Sequence, residues 1–235
     1  NNCDYCYCKR GVMSAVWGTT PSLKKFDGNP LNVFEKELKQ NLDGLQKHGL
    51  FFCFTPDPFL PETTLLTHPA ARICLSNDVP VKFLTKSTDW QIDSFLREIK
   101  VNGTIWNCEA KKHLLAFGFT LTGHDELEPF ACSNEKRIVA MKKLHEAGFK
   151  TFASIEPIID LQSSLDMIIQ SAEYCNLFKI GLMSGKKENK NDLMTFCNTV
   201  LSISEANRFK VYFKESITKL TGAIEHKNVV AREYD

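Results

Sequence analysis

Six short apolar runs alternate with segments of helical periodicity along this chain, and we read no hairpin signal between one run and the next. Antiparallel neighbours can be joined by a tight turn, whereas parallel strands need a crossover of a dozen or more residues, usually a helix. The alternation therefore predicts a single α/β domain, residues 1–235, built as a parallel sheet with helices outside it. Strands are expected at 50–54, 79–85, 114–121, 150–155, 176–181 and 209–213. Between them, helical spacing runs over 32–48, where Phe34, Leu38, Leu42 and Leu45 repeat before Gly49, and over 64–76, with Pro69 as a local irregularity. Asp89 caps an expected helix to Lys100 that carries Ile92, Phe95, Leu96 and Ile99, and Ser133 opens one that ends at Gly148. Ser163 and Asp166 resemble a capping box, and a further helix is expected over 191–205.

Composition excludes several classes. With 235 residues and 43% hydrophobic content the chain can bury one substantial core. Its longest apolar runs, such as 50–54, are far short of a membrane-spanning helix. A net charge of +1 offers no global electrostatic case for nucleic acid or a membrane surface. Nine cysteines, an odd number scattered through expected strands and helices, are unlike a secreted disulfide framework and point to the reducing cytoplasm.

Three of those thiols, Cys3, Cys6 and Cys8, share one short loop at the start of the sequence. Disulfides in so tight a run would be strained, whereas the spacing can turn several thiolates on one soft metal centre, iron or zinc. Lys9 and Arg10 follow directly, and positive charge favours thiolate over thiol. In open α/β sheets, chemistry gathers at the carboxyl ends of the strands. Those ends carry Thr55 and Asp57; Thr85, Lys86 and Ser87; Thr120 and Thr122; Ser154 and Glu156; Lys179; and Lys214 with Glu215. Taken singly, each is more readily a strand-terminating group bonded to nearby backbone; together they outline one polar rim.

Cys3-Asp4-Tyr5-Cys6 matches the last two cysteines of the C-x3-C-x2-C signature of radical S-adenosylmethionine (SAM) enzymes. Thr55-Pro-Asp57-Pro-Phe59, Val79-Pro-Val-Lys-Phe-Leu-Thr85-Lys86-Ser87 and Leu127-Glu128-Pro129 are similar to the T-D-P-Y, P-V-x-I-L-T-K-S and L-E-P stretches of the spore photoproduct lyase-like branch. Arg137, His145-Glu-Ala-Gly148 and Ile155-Glu156-Pro157-Ile158 continue the series in order, so the resemblance covers nearly the whole chain. It implies an open, partial TIM-like (β/α)6 barrel. The chain opens on Asn1, and on this resemblance the first cluster cysteine is expected four positions before Cys3, with the first strand upstream of it.

The resemblance also implies site roles. Cys3 and Cys6, with the upstream cysteine, would ligate three irons of a 4Fe-4S cluster whose fourth iron takes SAM; Cys8 is either a bystander or a substitute ligand. A reducing partner such as a flavodoxin or ferredoxin would supply the electron that cleaves SAM to methionine and a 5′-deoxyadenosyl radical. Tyr5 is expected against the adenine, Thr120, Thr122 and Arg137 at the methionyl carboxylate, Glu156 at the ribose hydroxyls, and Lys86 also at the carboxylate, with Thr55 and Asp57 completing the rim. Cys53 is weighed as a hydrogen-atom donor, although its register is one residue off and a cysteine between two phenylalanines also reads as core. The substrate stays open among nucleic acid, peptide and small metabolite. A zinc-binding interaction domain and a degenerate, non-catalytic barrel are the alternatives, and no distant Cys-x-x-Cys or His-x3-His pair supplies zinc with further ligands.

Overall fold

The structure, a computed structural model, describes residues 1, 3–6, 9, 28–52, 57–88, 99–101, 104–106 and 109–231, with backbone alone at 99–101, 104–106 and 109. The expected sheet is there. Strands β1 (Leu50–Phe52), β2 (Val81–Thr85), β5 (Leu115–Thr120), β6 (Lys150–Ile158), β7 (Leu177–Leu182) and β8 (Lys210–Phe213) lie side by side in that order. Every neighbouring pair is parallel. With its alternating helices this is a partial TIM-like barrel.

The helices sit close to expectation, and their ends have local causes. The segment 32–48 divides into α1 (Pro30–Gln40) and α2 (Leu42–His48) at Asn41. Asn29 caps α1 by accepting from the Leu31 N–H at 3.0 Å, and Pro30 fills the first turn, where a missing N–H costs nothing. Helix α3 (Pro61–Ser76) begins three residues early and carries Pro69 in its interior. Helix α4 (Asn134–Glu146) starts from Ser133, whose hydroxyl accepts from the Lys136 N–H. The expected Ser163 and Asp166 capping box is corrected: α5 (Leu161–Ser171) is capped by Asp160, which accepts from the Ser163 N–H at 2.8 Å. Helix α6 (Lys190–Asn207) follows its expected span, and α7 (Glu215–Thr221), unforeseen from the sequence, begins where a strand-end carboxylate was expected at Glu215.

A second correction concerns the segment after β2. Residues 89–98 of the expected helix lie outside the described residues, but Ile99–Val101 forms strand β3, antiparallel to β4 (Thr104–Trp106). Val101 pairs with Thr104, so the two intervening residues are Asn102 and Gly103, the commonest sequence signal for a two-residue hairpin.

The sheet presents two faces. On the helix side Phe83, Phe117, Phe119, Ile155, Phe178, Ile180 and Val211 are all at most 1% exposed and pack with Met141, Leu144, Ile168 and Val200 of the helices. Phe52, Phe83 and Phe117 stack across β1, β2 and β5 with ring centroids 5.4 and 5.3 Å apart. Offset aromatic pairs of this kind add about 0.5–1.5 kcal/mol beyond the area they bury. Strand alternation then turns Phe51, Gly118, Phe152, Ser154 and Lys179 to the other face.

Candidate functional site

The carboxyl ends of β1, β2 and β5 are tied together by two carboxylates, one half-buried and one buried. Asp57, in the turn after β1, accepts from the Phe59 N–H at 3.0 Å and the Thr85 hydroxyl at 2.7 Å through one oxygen. Its other oxygen accepts from the Lys86 N–H and the Asn1 side-chain amide, both at 2.8 Å. One side chain thus binds the end of β2, its own turn and the start of the chain. A carboxylate is suited to this because it accepts on two oxygens and donates nothing.

Glu128 is the second tie. It lies in the connection from β5 to α4, is 2% exposed, and forms a buried ion pair with the Arg137 guanidinium. The Tyr5 hydroxyl donates to its other oxygen, and the Lys86 ammonium stands 3.9 Å from that same oxygen. Lys86 also lies 5.6 Å from the centre of the Tyr5 ring. Burial, with Glu128 beside it, pushes the Tyr5 phenol well above its ordinary range, so it stays a protonated donor. Next to Tyr5, the Asp4 N–H donates to the Leu127 carbonyl at 2.9 Å. Two adjacent residues of the cysteine loop are therefore docked on two adjacent residues of the Leu-Glu-Pro stretch.

Cys3 and Cys6 flank that docking point. The Cys6 N–H donates to the Cys3 carbonyl at 3.1 Å, closing the loop into a turn; Cys3 is buried, Cys6 half-buried, and both thiols are free. Among the described residues no group of three or more His, Cys, Asp and Glu side chains converges as metal ligands. Cys8, Cys53 and Thr55 lie outside the described residues. The donor chemistry fits an iron–sulfur group: two free thiols in one turn, beside a rim that offers hydrogen-bond donors and an ammonium. Three buried thiols elsewhere in the fold are different. Burial raises Cys74 and Cys197 to about 12 and Cys175 further still, which keeps them as protonated core groups.

The structure gives Arg137 other partners than the methionyl carboxylate expected for it. It is 0% exposed, its Nε donates to the Cys132 carbonyl at 2.7 Å, Nη1 to the Thr120 carbonyl at 2.7 Å, and Nη2 to Glu128. The fork faces inward because helix α4 packs on β5, and it serves to hold Glu128. Thr122, also 0% exposed, is a turn residue: its N–H donates to the Asn134 side chain at 3.0 Å and its hydroxyl accepts from the His124 N–H at 3.3 Å. Thr120 closes β5 opposite Ser154 on the face away from the helices. Glu156 pairs with the Lys214 ammonium across the ends of β6 and β8. Lys179, expected at a strand end, stands instead within β7.

Sequence reasoning missed a cluster joining the loops after β5 and β6. His124 holds Glu126 at Nδ1 and Asp160 at Nε2, each at 2.6 Å, while the Ser163 hydroxyl donates to Asp160 at 2.6 Å. Gly123, at φ +75°, permits the close approach, since a Cβ there would stand 2.9 Å from that of Ser163. Burial lowers His124, but the hydrogen bonds and charges of Asp160 and Glu126 outweigh it and hold the imidazole above its ordinary 6.5. Asp160 is lowered to about 2; burial opposes this, and Ser163 and His124 overcome it. The partners come from segments 36 and 39 residues apart, so no local motif announces them.

The fold, a parallel six-stranded sheet with alternating helices, is shared with solved structures. The chain superposes on solved structures of SuiB from Streptococcus suis: the complex with precursor peptide SuiA at TM-score 0.63 and 12% identity, over 99% of this chain and 50% of that one. The complex with S-adenosylmethionine gives 0.61 and 13% identity, over 97% and 51%. The chain thus spans about half the length of these structures. In sequence it is 34% identical over 99 residues to the uncharacterized protein MJ0683 of Methanocaldococcus jannaschii, a match covering 40% of this chain and 38% of the relative. No family model matches.

Proposed function

We propose that this chain is the core of a radical SAM enzyme of the spore photoproduct lyase-like branch, which abstracts a hydrogen atom from its substrate. The observation that carries the reading is the docking of the cysteine loop on the strand rim, Tyr5 on Glu128 and Asp4 on Leu127. It brings the partial cysteine signature and the ordered rim motifs, distant in sequence, to one place. The SAM bound by SuiB supports the choice of cofactor. Cys3, Cys6 and Cys8 are assigned to a 4Fe-4S cluster, which when bound supplies an electron to the SAM sulfonium from a flavodoxin- or ferredoxin-type reductant.

The chain's own residues bind and orient. Tyr5 presents its ring to the adenine, its hydroxyl anchored by Glu128, and Arg137 acts through Glu128 as a positioning residue. Lys86 and the Thr120 hydroxyl meet the methionyl carboxylate, with Thr122 shaping the turn beside them. Glu156, held by Lys214, accepts from the ribose hydroxyls. Thr55 and Asp57 are assigned to cofactor binding, and Cys53 to hydrogen-atom donation. The precursor peptide bound by SuiB makes a peptide the first substrate class to test, ahead of nucleic-acid lesions, for which a net charge of +1 gives little support.

The test is anaerobic reconstitution with iron and sulfide, followed by low-temperature electron paramagnetic resonance of the reduced protein with and without SAM. A four-iron signal that changes on SAM addition is expected. Failure to assemble a cluster while zinc is retained would overturn the reading in favour of a structural zinc domain. Among individual roles, Lys86→Ala and Glu156→Gln are expected to weaken SAM binding, and an unchanged affinity rejects the role of the residue replaced.

A further inference from the structure

We propose that His124 is a positioning residue for the cysteine loop: by bridging two carboxylates it clasps the turn on which that loop docks to the start of α5; this rests on reading the loop as the cofactor-holding element. The turn is residues 122–128, at the carboxyl end of β5. Its last two residues carry the dock, the Leu127 carbonyl accepting from the Asp4 N–H and Glu128 from the Tyr5 hydroxyl. The turn is tight: the Leu127 N–H donates to the His124 carbonyl at 3.3 Å and the Glu128 N–H to the Asp125 carbonyl at 3.0 Å. Asn134 and Arg137 tie it to α4, the first by accepting from the Thr122 N–H and donating its amide to Asp125 at 2.6 Å, the second by its ion pair with Glu128. His124 ties it to α5 through Asp160, the cap of that helix, at 2.6 Å.

The contacts of the ring make the clasp sensitive to pH. Each ring nitrogen faces a carboxylate, Glu126 at Nδ1 and Asp160 at Nε2. A carboxylate accepts and donates nothing, so both contacts are made together only when both nitrogens carry a proton, in the imidazolium. The neutral ring keeps one N–H: it either releases Asp160 and opens the clasp, or keeps Asp160 without the charge that strengthens the bond. The charged groups acting on the ring are Glu126 from its own turn and Asp160 from α5, and both favour the imidazolium. The Ser163 hydroxyl lies 3.1 Å from Nε2 but donates to Asp160, and Asp125, another carboxylate of the turn, accepts from Asn134 instead. The clasp is therefore tight in acid and slackens as the ring loses its proton, and the bonds from Leu127 to His124 and from Glu128 to Asp125 pass that change to the dock.

The experiment is amide hydrogen exchange, followed by nuclear magnetic resonance, on the full chain without added cluster at about pH 5.5 and about pH 8, either side of the range in which a raised histidine titrates. The reporter is the Asp4 N–H, bonded to Leu127; the internal control is the Lys214 N–H, which donates to the Ile180 carbonyl at 2.8 Å across the ends of β7 and β8. Protection is taken relative to an unstructured chain at the same pH. In the unaltered chain it is expected to fall about three- to tenfold at Asp4 from the lower pH to the higher, the scale of weakening one partly exposed, charge-assisted hydrogen bond. In His124→Gln, protection at Asp4 is expected to be low at both values, with Lys214 unchanged. Equal protection of Asp4 in the variant and the unaltered chain at the lower pH overturns the proposal. So does a variant that keeps the full pH dependence, which would assign it to the thiols of the loop, and so does an equal loss at Asp4 and Lys214, the mark of general destabilisation. Should His124→Gln fail to fold, Asp160→Asn decides on the same terms, since asparagine still caps α5. Failure of cluster assembly would sink the proposed function but leave the exchange measurement, which needs no cluster, to decide the clasp.

Discussion

The two faces of the central sheet are made by the same strands, often by adjacent residues, yet they are built to different ends. On the helix side, Phe117, Phe119, Phe178 and Ile180 are fully buried among other apolar groups and do nothing but pack. On the opposite side, Thr120, Ser154 and Lys179 share one register row, with Phe51 and Phe152 beneath the lysine and Glu156 with Lys214 at its edge. The first face holds the domain together, and the second can afford buried polar groups because the first does. The rim where the faces end adds a third element, the cysteine loop fastened through Glu128 and Arg137.

That contrast can be broken where it is sharpest. Phe117→Ala on the helix face should cost about 3–5 kcal/mol in a urea melt, because the cavity it opens is walled by Phe83 and Phe149. Arg137→Met at the rim should cost a similar amount, about 3–5 kcal/mol, by leaving the Glu128 carboxylate buried without its partner. A loss below about 1 kcal/mol there would mean that Glu128 takes up a proton or reaches water. Gly118→Ala on the polar face should cost about 1–3 kcal/mol, since the added methyl must displace the Phe152 ring.

The smallest expected effect is pH-dependent and lies between the loops. The folded state holds His124 above its unfolded 6.5, so its contribution is complete below that value and is lost as pH rises through the raised folded one. Asp160, lowered from 3.8 to about 2, contributes above its unfolded value and loses this as pH falls through 2. His124→Gln should therefore destabilise the protein most between about pH 4 and 6.5, with the difference from the unaltered chain shrinking in alkali. A difference independent of pH, followed by thermal melts across that range, would show that His124 contributes packing alone.

Much of the architecture was legible because it rests on period and length. The repeated passage from apolar run to helical spacing fixes a parallel sheet, since six strands with long connections can be satisfied in few other ways. The hairpin of β3 and β4 was equally legible through Asn102 and Gly103 and was overlooked in favour of the helical spacing of Ile92, Phe95, Leu96 and Ile99. The cap of α5 was misread for a related reason: Ser163 and Asp160 are both good capping residues, and only backbone conformation selects between them.

The site divides along the same line. Residue type and spacing marked Cys3, Cys6, Asp57, Lys86 and Glu156 as chemically able groups, because thiols in one turn and polar residues at strand ends are local facts. Pairing was decided by the tertiary structure. Arg137 looks from sequence like a donor for a ligand carboxylate, but helix packing turns it onto Glu128, Thr120 and Cys132. Lys179 looks like a strand-end residue, but register seats it in mid-strand over two aromatic rings. His124 looks like an isolated loop histidine, but a glycine lets a second loop close on it. The sequence determined which side chains are available and the period on which they repeat; the close approach of segments far apart in the chain, which sequence spacing does not encode, decided which of them meet.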